Sequence, residues 1–482
     1  MDVARYRRSA RRGWIVAGIV LVVVVLVAAA AVVFWPKLTG SDQADVPTQT
    51  TAATPGGPTT TVADPPVSAA TARIEPMKPS GKVPTPAGIA KALAKPLANP
   101  KLAQFTGIVI DPVTGKTLWQ QDPTTPQIPA SSMKLLTGAA LLTSTDPNSR
   151  LVTTVVQGED PGQIVFVGGG DVTLSARPEG TATVTPGAAT VADLAAQVKA
   201  TGVKVTSILL DTSYWSGPDL ADGWKQEDIR GTAQVAQGFI THMSPLMVDG
   251  DRQNPAVEDS PRTGDPAMTA GKALARALGV EDVPITEGTA PPDAKVLAKV
   301  SSQPLSTLLA QALENSDNVL AEALARQVAI ARGAPPSFVG VSAAILQALQ
   351  DMGIDTIGVV VKDGSGMSDQ DRVPPEVLAQ IMSQAVAGKD PVMRTLLTGL
   401  PLAGVSGTLA DRFKQPDSKA GAGWVRAKTG SIDVTYALVG YVPDVDGRIL
   451  VFAFNSNGVL GNDTRYAQDA LAATLRGCGC TG

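Results

Sequence analysis

The 482-residue chain reads as an α+β protein, with one antiparallel sheet covered by helices, an inserted α/β-type domain, and an apolar N-terminal segment ahead of both. Three observations predict this. Two strand-like segments precede, and three follow, a long run of helical periodicity. Between residues 151 and 290 the texture changes to short strands alternating with glycine and proline clusters. Residues 13–35 carry no charge at all.

The 23 residues from Gly13 to Trp35 would span about 34 Å as a helix, enough for a bilayer core of about 30 Å. Arg5, Arg7, Arg8, Arg11 and Arg12 precede them and only Lys37 follows closely, which predicts a cytoplasmic N-terminus (1–12) and a chain otherwise outside. The run exceeds the usual apolar core of a signal peptide, which favours a retained anchor. A cleaved signal, with Ala28–Ala31 as the cleavage region, is the alternative and would release the protein. Residues 36–85, rich in Thr, Pro, Ala and Gly, have no apolar periodicity and read as an extended tether.

Folded structure is expected from Pro86, with the first part of one domain at 86–150. Phe105–Ile110 and Thr117–Trp119 form a hairpin around Asp111-Pro112-Val113-Thr114-Gly115. The inserted domain covers 151–290, with strands at Leu151–Val156, Ile164–Val167 and Val203–Leu210 and helices at Val191–Ala200 and Ala267–Leu278. The first domain resumes over 291–482. Helices are expected at Leu305–Leu313, Val319–Ala331, Val341–Met352 and Pro375–Val386, strands at Trp424–Ala427, Thr435–Val442 and Ile449–Asn455, and a last helix at Arg465–Leu475. The first of those three strands is expected to be central in the sheet.

Composition narrows the chemistry. A net charge of −4 leaves no basic footprint for nucleic acid. His242 is the single histidine, so multi-histidine metal sites are impossible and a Ser-His-Asp triad has only one possible base. Cys478 and Cys480 are too few for a metal site; in an oxidising compartment they pair with each other or with another chain.

Three short motifs carry reactive groups. Ser131 and Lys134 stand three residues apart at the start of an apolar helix, Pro129-Ala130-Ser131-Ser132-Met133-Lys134 followed by Leu135–Leu142. Burial disfavours an ammonium, and a neutral amine beside a hydroxyl is a base beside a nucleophile. On its own the pair also reads as a capping serine and a snorkelling lysine. Ser316-Asp317-Asn318 stands at a helix–helix junction and Lys428-Thr429-Gly430-Ser431 on a strand; alone, one reads as an N-cap and the other as a turn. Together, in this order, they form the trio shared by penicillin-binding proteins and β-lactamases.

The chain from about 86 to 476 resembles one branch of that group, the D-alanyl-D-alanine carboxypeptidase/endopeptidase family of class C low-molecular-mass penicillin-binding proteins. Further matches are Gly168-Gly169-Gly170-Asp171, Ala321-Glu322, Asp363-Gly364-Ser365-Gly366-Met367-Ser368 and Gly404-Val405-Ser406-Gly407-Thr408-Leu409. Ser131 and Ser316 are 185 residues apart, which leaves room for the insertion that marks the family, although Val172 stands where the family usually has proline.

The resemblance implies a penicillin-binding-protein/β-lactamase-like transpeptidase domain and a serine D-Ala-D-Ala carboxypeptidase acting on peptidoglycan stem peptides, with cross-link endopeptidase activity alongside. It implies Ser131 as nucleophile and Lys134 as base, kept neutral by burial and by the charge of Lys428. Ser316 relays a proton, and Asn318 holds Lys134 and the substrate amide. Lys428, Thr429, Gly430 and Ser431 bind substrate: Thr429, with Lys428 behind it, takes the terminal carboxylate, and the backbone N–H groups of Ser131 and Ser431 form the oxyanion hole. β-Lactams are implied as covalent inhibitors, with no metal or cofactor required. With the N-terminal segment, this puts the enzyme on the cell-wall side of the membrane.

Overall fold

The computed structural model describes residues 81–481, apart from 179, 233–235, 434 and 459–460. The basic tail, the apolar run at 13–35 and nearly all of the tether lie outside the described residues. Among those described, no helix is long and apolar enough to cross a membrane. The described residues form one compact unit.

The longer helices of the described chain are α1 (Pro86–Leu97), α2 (Met133–Ser144), α3 (Val191–Ala200), α4 (Pro266–Leu278), α5 (Leu305–Glu314), α6 (Asn318–Ala331), α7 (Phe338–Asp351), α8 (Pro375–Ala387) and α9 (Asp463–Arg476). The strands are β1 (Gln104–Asp111), β2 (Lys116–Gln121), β3 (Arg150–Gln157), β4 (Gln163–Val167), β5 (Ser207–Asp211), β6 (Ile285–Glu287), β7 (Val296–Pro304), β8 (Arg426–Ile432), β9 (Thr435–Pro443) and β10 (Ile449–Asn457).

The first sheet has the order β2-β1-β10-β9-β8, antiparallel throughout, and is built from both ends of the folded chain as expected. Its alternating side chains fill two cores. Ile108, Ile110, Val451 and Ala453 face the apolar mass of α2, α5, α6, α7 and α8. Phe105, Val109, Leu450, Phe452 and Phe454 face the other way, onto Ile89 and Leu93 of α1 and Leu471 and Leu475 of α9.

One expectation needs correction. β8 is the edge strand of the sheet, paired along its length with β9 and otherwise bridged to Leu402 at Arg426, and not central. Its burial comes instead from packing against the Ala130–Ser132 turn, which also contacts β9. Burial without alternation looks central in sequence but has a different cause here.

The second sheet has the order β6-β5-β4-β3-β7, with β3 antiparallel to β4 and β7, and β4, β5 and β6 mutually parallel. α3 and α4 cover it through Leu194, Val198, Leu274 and Leu278, which pack on Phe166, Ile208 and Leu210. β7 belongs to this sheet, so its hydrogen bonding runs past the boundary drawn at 290. At the far end of the chain Cys478 and Cys480 are bonded to each other, and the Cys480 carbonyl accepts from Thr85 N–H at 2.9 Å, next to the start of α1.

Candidate active site

The site begins with a helix start that is buried on every side. Ala130–Ser132 form a 3₁₀ turn leading into α2, and residues Met133 to Leu142 are all buried, Lys134 included. A 3₁₀ turn brings side chains at i and i+3 into line. Lys134 Nζ accordingly lies 3.0 Å from Ser131 Oγ. Lys134 is 1% exposed, which excludes snorkelling.

Its other two contacts define its direction. Lys134 Nζ donates to Asn318 Oδ1 at 2.5 Å and to the Ser365 carbonyl at 2.8 Å. The Asn318 amide is oriented by its own Nδ2, which donates to the Phe239 carbonyl at 3.0 Å. Both oxygens can only accept. A neutral amine has two N–H bonds and one lone pair; with both N–H bonds spent on these acceptors, the lone pair faces the Ser131 hydroxyl.

Burial pushes Lys134 down to about 8, against the pull of Asp363, Asp317, Glu322 and Glu258. Lys428, fully buried, is driven well below its ordinary value by burial first and by the charge of Lys134 second. Both lysines are thus lowered, and burial is the first cause for each. Lys134 has three oxygen partners and nearby carboxylates, and Lys428 donates to Ser316 Oγ and to the Thr429 carbonyl, each at 2.8 Å.

The other expected residues converge on the same cleft, of about 920 Å³, which Ser131, Ser316, Asn318, Thr429, Gly430 and Ser431 line. Thr429 Oγ1 is 2.7 Å from Thr408 Oγ1, and Ser431 Oγ accepts from Arg465 at 3.1 Å. Gly430 has a packing reason to be glycine: a Cβ there would lie 2.7 Å from the Pro129 carbonyl, displacing the turn that carries Ser131.

Sequence reasoning missed four supports. The Ser365 carbonyl is aimed by Glu322 Oε1, which accepts from Gly364 and Ser365 N–H at 2.9 and 2.7 Å. Asp363 Oδ1 accepts from Gly366 N–H at 2.6 Å. Thr408 and Arg465 come from distant segments. Glu322, Asp363 and Thr408 were visible as motif members; nothing marked Arg465. His242 lies apart, its Nδ1 2.8 Å from Asp219 Oδ2.

A histidine-free serine–lysine pair held against an edge strand, on an antiparallel sheet with helices on both faces, defines the active-serine penicillin-binding class of acyl-transfer enzymes. The comparisons narrow this further. The model of the D-Ala-D-Ala carboxypeptidase 3 (S13) family matches residues 89–273 and 259–477, and the chain belongs to that family.

Carboxypeptidase DacB of Mycolicibacterium smegmatis is 46% identical over 86% of this chain and 90% of its own. A carboxypeptidase of Mycobacterium tuberculosis is 42% identical over 85% and 88%. The D-alanyl-D-alanine carboxypeptidase of an Actinomadura species is 28% identical over 76% and 80%. Penicillin-binding protein 4 of Haemophilus influenzae shares the fold, with a TM-score of 0.65 at 20% identity over 82% of this chain and 99% of that one.

Proposed function

We propose that this enzyme removes the terminal D-alanine from peptidoglycan stem peptides through an acyl-enzyme on Ser131. The observation that carries the reading is the Ser131–Lys134 contact at 3.0 Å, with the remaining contacts of Lys134 made to oxygens that only accept. Ser131 Oγ attacks the penultimate D-alanine carbonyl and its proton passes to Lys134 Nζ. The carbonyl electron pair moves onto oxygen, beside the backbone N–H groups of Ser131 and Ser431. As the C–N bond breaks, the leaving amine takes a proton through Ser316, which contacts Lys428 at 2.8 Å. Thr429, with Lys428 behind it, receives the terminal carboxylate. Water then attacks the ester, returning a proton to Ser131 and releasing the shortened peptide.

A β-lactam acylates the same serine; a solved Haemophilus influenzae relative of the same fold is complexed with one. The size of the cleft favours a second reading, D,D-endopeptidase action on cross-links, since a volume of about 920 Å³ accommodates a branched peptide. Residues 13–35 anchor the enzyme in the membrane with the N-terminus cytoplasmic and the catalytic unit on the cell-wall side, a reading supported by the five preceding arginines. Protease protection of the N-terminus in intact cells tests it; a shortened mature chain would favour the cleaved signal.

Fluorescent penicillin should label the wild-type protein covalently and fail to label Ser131→Ala. Persistent labelling of the variant sinks the nucleophile assignment. Comparing D-alanine release from a pentapeptide with cleavage of cross-linked dimers separates the two activities.

A further inference from the structure

A buried run of left-handed backbone lies outside the three motifs. Asp249, Gly250 and Asp251 have φ of 52°, 60° and 60°. Two of the three carry side chains, for which this region is sparsely populated. Side-chain bonds hold the turn. Asp249 accepts from Ser175 Oγ at 2.8 Å and Ala176 N–H at 2.9 Å. Asp251 accepts from Thr241 Oγ1 at 2.6 Å, from Gly264 N–H at 2.9 Å and from the Thr263 hydroxyl.

This turn delivers Arg252, whose side chain is 1% exposed. Its Nη1 donates to the Asp249 carbonyl at 3.2 Å and its Nε to the Glu258 carbonyl at 3.1 Å. Nη2 is shared between Glu258 Oε1 at 2.7 Å and Asp317 Oδ2 at 2.8 Å. Asp317 is thereby locked at both oxygens, because its Oδ1 caps α6 at Leu320 N–H, 3.0 Å away. On either side of it stand Ser316, itself left-handed at φ 62°, and Asn318, the partner of Lys134. A strained residue keeps its conformation only where its surroundings over-determine it. Here the surroundings that do so come from the inserted region.

We propose that Arg252 is a positioning residue for acyl transfer: its guanidinium carries the rigidity of the left-handed Asp249–Asp251 turn across to Asp317, holding Ser316 against Lys428 and Asn318 against Lys134. The inference rests on the serine-peptidase reading above. A buried ion pair with no such role contributes to stability alone. The two cases part in kinetics, since misplacing catalytic groups by about 1 Å slows chemistry by up to about 10²-fold while leaving peptide binding intact.

The test uses full-length wild type, Arg252→Met and Arg252→Lys. It measures acylation by fluorescent penicillin, kcat and KM for D-alanine release from a pentapeptide, and the thermal midpoint. Arg252→Met should lose about 10- to 100-fold in kcat and in acylation rate, with KM within about threefold. Arg252→Lys keeps the charge without the planar fork and should recover only part of the loss. Wild-type kcat in either folded variant, or a loss carried by KM alone, overturns the proposal. If neither variant folds, Glu258→Gln decides: a loss of about threefold or more in kcat supports the proposal and an unchanged kcat overturns it. Failure of the wild type to acylate would instead refute the underlying peptidase reading.

Discussion

The Ser365 carbonyl accepts a hydrogen bond from Lys134 Nζ at 2.8 Å, across 231 residues of sequence. That contact, with the one to Asn318, leaves the neutral amine one free direction, toward Ser131. Acylation should therefore follow the neutral fraction of Lys134. Its rate constant is expected to rise about tenfold per pH unit below about 8 and to level off above it. A flat profile from pH 6 to 9 would remove Lys134 as the base.

The same group makes a stability prediction of definite sign. Lys134 titrates near 8 when folded and near 10.5 when unfolded, so between these values the unfolded chain binds more protons. Its contribution to stability therefore rises with pH across that window. Lys134→Met should flatten that rise in denaturant titrations at pH 8 and 10, and should slow acylation by about 10²- to 10⁴-fold.

Ser316 separates backbone from hydroxyl. With φ at 62°, it occupies a conformation that glycine adopts freely and β-branched residues resist. Ser316→Gly should stay within about 1 kcal/mol of wild-type stability yet lose turnover by about 10²-fold or more. Ser316→Val should lose both, with about 1–3 kcal/mol of destabilisation. Full turnover in Ser316→Gly would dismiss the relay.

Gly430 sits where β8 meets the turn carrying Ser131. Gly430→Ala places a methyl 2.7 Å from the Pro129 carbonyl and 3.1 Å from Ala130 Cβ. Overpacking of this kind costs about 1–3 kcal/mol. Kinetics should suffer more, because the displaced segment includes Ser131. Acylation by penicillin should drop by about 10²-fold, and an unaltered rate would mean that the turn moves without consequence.

Stability at acid pH should depend on Asp111, fully buried and bonded to Arg448 Nη2 through both oxygens at 2.8 and 2.7 Å. Burial pushes its carboxyl up, but the Arg448 and Thr114 hydrogen bonds outweigh that and hold it below the usual carboxylate value. Its contribution is present above the unfolded value near 4 and is lost as pH falls through the lowered folded one. Asp111→Ala strands the guanidinium and should cost about 3–5 kcal/mol in urea unfolding at pH 7. A loss under 1 kcal/mol would show the pair to be dispensable.

The parts legible in sequence were those with a local signature. Val191–Ala200 was read with its correct ends because its apolar residues recur at helical spacing; in the structure Thr190 caps it. The reactive groups were legible as motifs, and the cleft unites Ser131, Ser316, Asn318 and Thr429. What failed depended on distant packing. β7 went unread because the segment Lys299–Pro304 is polar; its hydrogen bonds to β3, not its pattern, make it a strand. β8 was misplaced because a turn from residues 130–132 buries it. The hydrogen-bond partners of Lys134 and Lys428 lie at 316, 318 and 365, which no local window contains.

The first sheet closes only when β1 pairs with β10, so strands near the two ends of the folded chain must meet before the cleft exists. Synthesis makes the N-terminal strands first. A growing chain that already contains Ser131 and Lys134 still lacks Lys428, Thr429 and the edge against which the serine turn packs. Until the last three strands have been made, the cleft that Ser131 lines is incomplete. A chain that ends before β8 is therefore expected not to be acylated by penicillin.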